Sequence, residues 1–142
     1  MKIRQVSVFL ENRPGRLAAL CRTLADAGVN LNTLMLSETG EFGLFRFIAN
    51  DADKAKAVAE KAGYAVTTSE VLAIQVSDKP GGLADILALL EPHKISVDYM
   101  YAFVCRQGRA IMIIRFDDLD RASDVLLKAN VNVFKAVDLL KA

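Results

Sequence analysis

Val6, Val8 and Leu10 alternate with Arg4, Gln5 and Ser7 in the period of two that marks a half-buried strand. Leu17, Leu20, Cys21 and Leu24 then recur at helical spacing. Pro14 offers a first helical residue with a fixed φ and a dispensable N–H, and Gly28 offers a stop, so the spacing predicts a helix over 14–27. "NLNTLMLSETGEFGLFRFIAN" reads as two strands around the turn signal Thr39-Gly40. "DADKAKAVAEKAG" predicts a short helix with Ala55, Val58, Ala59 and Ala62 inward and its lysines outward, and "YAVTTSEVL" returns as a strand.

The same grammar is written twice. Setting Pro14 against Pro80, an offset of 66, also matches Val6 with Leu72, Val8 with Ile74, Leu10 with Val76, Leu17 with Leu83, Leu20 with Ile86 and Leu24 with Leu90. With one residue inserted the register continues through Ala55 with Ala122, Val58 with Val125 and Lys61 with Lys128. The second copy has "RQGR" as its hairpin turn and Asp120 to Ala129 as its last helix. Each half is therefore expected to run strand, helix, strand, strand, helix, strand, the split βαβ order. The fold class is α+β: a ferredoxin-like βαββαβ sandwich in two tandem copies, a first module over 1–69 and a second over 70–142.

Near Ser69 there is no Gly, Pro or low-complexity linker, so the fourth strand of one module is expected to run almost directly into the first strand of the next and to hold the two rigidly together. The second strand of each, "NLNTLMLS" and "SVDYMYAFV", carries apolar residues on both parities and lies at a sheet edge in this topology. An exposed edge of that kind must be covered, so it is expected to pair with the other repeat or with another chain, most simply in a homodimer.

Composition narrows the function classes. Of 142 residues 53% are hydrophobic and 25% charged, the profile of a globular chain able to bury a core. Eighteen Lys and Arg against 17 Asp and Glu leave a net charge of +1, which provides no global field to gather nucleic acid or anionic lipid. The N-terminus lacks the apolar run of a secretory signal, and no stretch reaches the roughly 18 apolar residues of a membrane span, so the expected location is the cytoplasm. Cys21 and Cys105 are too few for a disulfide framework, and both fall in apolar patterns that predict small buried thiols.

The candidate chemistry lies in Glu11-Asn12-Arg13-Pro14-Gly15-Arg16, which joins the first strand to the first helix. Unpaired N–H groups and the positive end of the helix dipole point outward at such a place, attracting a carboxylate by about 0.3–1 kcal/mol from the dipole alone. Gly15 has no Cβ to keep a ligand from the backbone, and the amide of Asn12 both accepts, from an ammonium, and donates. Asn30 and Asn32 at the start of the second strand offer another wall. Asn, Pro and Gly are also the ordinary residues of any strand-to-helix turn, and duplication preserves either role.

"LENRPGRLAALCRTLADAGVNL" resembles the opening of an ACT domain, a small ligand-binding module of the split βαβ type, and the resemblance covers both halves. It implies a regulatory protein that binds free amino acids between neighbouring modules. The segment is similar to the "LEN-x-x-G-x-L" opening and "G-x-N-I"-like continuation of acetolactate synthase regulatory subunits, which implies contact of a branched-chain effector with Asn12, Gly15 and Asn30. Arg13, Pro14, Arg16 and Leu17 supply the surrounding backbone. The matching positions of the second copy are Asp78, Gly81, Gly82, Leu83 and Ser96, where Asp78, Ser96 and Gly82 depart from Asn12, Asn30 and Arg16. Asp78 can still pair with an ammonium, but a second acidic oxygen near a ligand carboxylate would repel it, with Asp98 nearby, so the two halves need not bind one ligand each.

Other functions find less support. The lone histidine, His93 in "LLEPHKISV", is placed at a helix end and reads as solvent-facing or capping. No catalytic triad, Walker loop or zinc spacing occurs, and Asp117, Asp118 and Asp120 read as helix caps, so neither catalytic nor metal-ligating residues are assigned and no cofactor is expected. "GEFGLFRF", Gly40 to Phe47, looks like an RNA-stacking motif, but Leu44 occupies its stacking position and "RQVSVF" lacks a central aromatic. The expected molecule is a non-catalytic amino-acid sensor, with docking on a biosynthetic enzyme such as acetolactate synthase as the alternative.

Overall fold

The computed structural model describes residues 1–140, with the side chains of Cys105 and Arg106 left out of the description. It divides into two compact units, one over Arg4–Ser69 and one comprising Met1–Ile3 and the chain from Glu70 onward.

The first unit is built from β1 (Ile3–Glu11), α1 (Arg16–Asp26), β2 (Leu31–Thr39), β3 (Phe42–Ala49), α2 (Ala52–Lys61) and the opening of β4 (Val66–Ser77). β3 lies between β1 and β2, antiparallel to both, with Val6 opposite Phe47 and Leu34 opposite the same Phe47. β2 is thus an edge strand. Beyond α2 the chain returns along β1, where the N–H of Phe9 donates to the carbonyl of Ala65 at 3.0 Å and the Gln5 amide donates to the Ser69 hydroxyl at 3.1 Å. Val6, Val8, Leu10, Phe45 and Phe47 present one sheet face to Leu20 and Leu24 of α1 and to Ala55 and Ala59 of α2. Each fully buried Leu or Phe there contributes about 1.5–3 kcal/mol, and the two alanines let α2 lie close to the strands.

Four local expectations are corrected. The helix starts at Arg16, because Gly15 caps it with φ of 86°, a left-handed conformation that keeps Pro14 in the turn. Gln5 and Ser7 are buried, so β1 is covered on both faces over Gln5–Val8 where alternation predicted one wet face. Ala62 is exposed, since α2 ends at Lys61 and Ala62 caps it. Cys21 is a free thiol and only partly buried, with burial pushing its pKa up, while the Cys105 thiol lies outside the described residues.

The second unit repeats the plan with the rest of β4, α3 (Gly82–Leu90) running into a 3-10 turn at Glu91–His93, β5 (Val97–Arg106), β6 (Arg109–Phe116) and α4 (Leu119–Lys128). β6 lies between β4 and β5, with Leu72 opposite Ile114, and Gln107 and Gly108 close the β5–β6 hairpin with φ of 51° and 72°. Two positive φ values in a two-residue loop suit the right-handed twist of the flanking strands. The core gathers Leu72, Ile74, Val76, Ile86, Leu90, Ile114, Phe116, Ala122 and Leu126. The predicted last strand shrinks to a single bridge between Ile74 and Val133, flanked by bonds from Gln75 N–H to Asn132 and from Phe134 N–H to Ala73. A short helix that the pattern did not predict, α5 (Ala136–Leu139), follows and buries Leu139. No helix among the described residues is long and apolar enough to cross a membrane.

Candidate functional site

Two hydrogen bonds tie the first bend to the β2–β3 hairpin. Asn12 N–H donates to the carbonyl of Glu41 at 2.7 Å, and its side-chain amide donates to the carbonyl of Gly40 at 3.2 Å. This leaves the side-chain oxygen of Asn12 as an acceptor beside the loop. Within the bend, Arg13 N–H donates to Glu11 and Arg16 N–H to Arg13, at 2.8 and 3.3 Å. The turn thus takes the Arg16 amide inward. The N–H groups of Gly15, Leu17 and Ala18 have no hydrogen-bond partner among the described residues. They are the orphan donors of a helix start that Gly15, having no side chain, cannot cap.

Charge around the bend is internally compensated. The Arg13 guanidinium donates to the Glu11 carboxylate, and Arg16 approaches the other oxygen at 3.9 Å. The hydrogen bond from Arg13, then its charge, holds the Glu11 carboxyl below the usual carboxylate range. Three clefts open here: one of about 520 Å³ lined by Glu11, Asn12, Arg13, Glu41 and Phe42, one of about 390 Å³ lined by Arg13, Pro14, Gly15 and Arg16, and one of about 300 Å³ between the end of β1 and the turn after α2. Leu17 packs partly buried against the first core.

Asn30 and Asn32 lie elsewhere. The bend precedes α1 and Asn30 follows it, and 11 helical residues span about 16 Å. The register of β3 agrees, since Phe42 stands opposite Glu11 whereas Ala49 stands opposite Leu31. Asn12 and Asn30 therefore occupy opposite ends of one unit and cannot touch one ligand within it. Asn30 has its main chain pinned by Asn50, whose side chain accepts its N–H at 2.9 Å and whose N–H donates back at 3.2 Å, while its residue stays exposed. Asn32 sits where the β2–β3 register shifts between Leu31 and Thr33, and its side-chain oxygen is buried with no partner among the described residues.

The second bend reproduces three features of this scaffold. Asp78 N–H donates to Gly108 at 2.9 Å, Gly82 N–H to Lys79 at 3.0 Å, and Gly81 caps α3 with φ of 85°. Ser96 N–H donates to the Asp117 carboxylate at 3.0 Å, as Asn30 does to Asn50. Gly82 is buried and Leu83 exposed, the reverse of Arg16 and Leu17 in degree of cover. Sequence reasoning missed the carbonyls of Gly40 and Glu41 and the brace at Asn50. The equivalence of Asn50 with Asp117, two short acceptors one residue before each helix cap, was the signal for the brace.

The residues weighed for other chemistry take the following places. His93 is exposed in the 3-10 turn. Asp118 caps α4 by accepting from Arg121 N–H, Asp117 braces Ser96, and Asp120 pairs with Lys2 at 2.8 Å. No cluster of three or more potential metal ligands occurs among the described residues. Phe45 and Phe47 are buried with ring centroids 5.3 Å apart, inside the core and unavailable for stacking on bases.

The sequence matches no functionally curated protein. The fold is that of a crystal structure of a protein from Bacteroides thetaiotaomicron, which is 34% identical over 100% of this chain and 98% of its own, with a TM-score of 0.93. It is also similar to the ligand-free regulatory subunit of aspartate kinase from Thermus thermophilus, at 14% identity over 89% of this chain and 91% of that one, with a TM-score of 0.65. A family model described as an ACT domain pair matches residues 1–142, and the chain belongs to that family.

Proposed function

We propose that this ACT domain pair is a non-catalytic cytoplasmic sensor that binds a small free amino acid between modules of two copies of the chain. One observation carries the reading. The free N–H groups of Gly15, Leu17 and Ala18 and the acceptor oxygen of Asn12 border open clefts at one end of the first unit, while Asn30 and Asn32 wait at the other. The first unit thus holds two separated half sites.

Antiparallel pairing of β2 with β2 of a second copy joins the halves. It sets the Leu31 end of one strand beside the Thr39 end of the other, and Thr39 leads into Gly40, the residue that holds Asn12. Leu34 and Leu36, 49% and 48% exposed on this edge, supply apolar surface for the contact. The ligand carboxylate meets the free amides, favoured by the helix dipole, and its ammonium donates to Asn12 or to the Asn30 side chain of the second copy. Ligand binding then stabilises the paired arrangement by its difference in affinity for paired and unpaired chains, which is the means of passing the signal to a regulated enzyme.

The test is a thermal-shift screen against the twenty amino acids, repeated with Asn12→Ala. A ligand at about 100 times its Kd stabilises the folded form by about 2.7 kcal/mol, a rise of several degrees in Tm. At least one amino acid should give that rise in the parent and none in the variant. A flat response to all twenty removes the proposal.

A further inference from the structure

We infer that only the first bend of each chain takes a ligand and that the second is closed on itself, so that the domain pair binds one amino acid per chain and not two. The inference rests on the sensor reading and concerns the asymmetry of its two copies. The clearest difference is at the first helical residue. In the first copy it is Arg16, exposed, with room for its side chain. In the second it is Gly82, buried, and a Cβ there would lie 1.9 Å from the carbonyl oxygen of Ser77 and 2.9 Å from its carbon.

The start of α3 is therefore seated on the end of its own β4, at a distance only glycine permits. In the first copy the corresponding strand residue is Glu11, whose side chain meets that of the exposed Arg16 at 3.9 Å. The clefts around the first bend have Arg13, Gly15 and Arg16 in their walls.

Charge points the same way. Asp78 stands where Asn12 stands, its N–H spent on Gly108 just as Asn12's is spent on Glu41, but its side chain is a carboxylate where the first copy has a neutral amide. On the far wall Asn30 and Asn32 become Ser96 and Asp98. A zwitterion arriving at the second bend meets the acidic oxygen of Asp78 beside its carboxylate position, and like charges at contact distance repel by about 1 kcal/mol even in water. The hydrogen-bonded frame is retained, the receptive surface is not.

Isothermal titration of the full chain with an amino acid that raises its Tm measures the stoichiometry directly. One ligand per chain is expected, with all heat lost in Asn12→Ala and both stoichiometry and affinity unchanged in Asp78→Ala. Asp78 is exposed, and an unaltered Tm without ligand verifies that its variant folds. Two ligands per chain, or loss of half the sites in Asp78→Ala, overturns the inference while leaving the sensor in place. Absence of heat with every amino acid overturns the sensor reading and this inference with it.

Discussion

The main-chain N–H of Asn12 donates to the carbonyl of Glu41 at 2.7 Å, strapping the bend after β1 to the hairpin between β2 and β3. Asp78 and Gly108 repeat the strap at 2.9 Å, so it belongs to the fold. The side-chain strap from Asn12 to Gly40 adds a neutral, solvent-facing hydrogen bond, worth about 0.5–1.5 kcal/mol net. Asn12→Ala keeps the main-chain bond and should cost no more than about 1.5 kcal/mol of unfolding free energy in urea. Ligand-induced stabilisation should vanish completely in the same variant. A variant that still responds to ligand would move the ammonium acceptor away from Asn12.

Two glycines of the bends separate by different physics. Gly15 has φ of 86° and nothing within 4 Å of an added Cβ, so Gly15→Ala incurs only left-handed strain, about 1–2 kcal/mol. Gly82 carries no positive φ, yet an added Cβ meets Ser77 backbone at 1.9 Å, and α3 must move for the chain to fold at all. Gly82→Ala is expected to be the more damaging of the two, by a margin on the order of the 1–3 kcal/mol typical of overpacking. Urea titration of both variants gives the order, and equal midpoints would contradict the close seating of α3.

The pairing of Glu11 with Arg13 predicts a pH dependence of definite sign. The carboxyl is held below its ordinary value of 4.5 by the hydrogen bond from Arg13, so the folded chain favours the ionised form. A depressed carboxyl contributes stability that is present above its unfolded pKa and lost as pH falls through the folded one. Thermal melts of Glu11→Gln and the parent should differ slightly at pH 7, the parent being the more stable, and converge between about pH 4.5 and the acid limit of folding. The difference is small because both partners are solvent-exposed and screened. A gap that widens on acidification would contradict the pairing.

How much of this was legible in the sequence follows from which forces were local. The offset between Pro14 and Pro80 carried over to the main-chain bonds, because the apolar periods of Leu17, Leu20 and Leu24 and of Leu83, Ile86 and Leu90 fix the same helix seat. The start of α1 was not legible, since Pro14 signals a first helical residue locally and only the left-handed Gly15 decides otherwise. Burial of Gln5 was hidden because its satisfaction by Ser69 is a contact across 64 residues. The helix α5 lacks a repeat partner to read it from, and the last strand, expected from its counterpart at Val66, shortens to a single bridge at Val133. For the site, residue types were legible and their separation was not: Asn12 and Asn30 look like two walls of one pocket in the chain and stand at opposite ends of the unit.

That separation makes the edge of β2 the decisive surface. β2 is regular from Thr33 to Thr39, whereas β5, the edge of the second unit, shifts register twice, between Val97 and Tyr99 and between Ala102 and Val104. Bulges disrupt the row of groups a neighbouring strand needs, so β2 is the edge better fitted to receive another chain. Leu34→Lys with Leu36→Lys places two ammonium groups on that edge, and across a twofold axis four of them face one another. Sedimentation at micromolar concentration should find the parent dimeric and the double variant monomeric, with its melting temperature without ligand close to that of a monomeric parent at high dilution. The double variant should also fail to bind an amino acid although Asn12, Gly15 and Asn30 are untouched, because each monomer retains only separated half sites. A monomer that binds ligand as tightly as the parent would place the whole site within one chain, against the distance that α1 imposes.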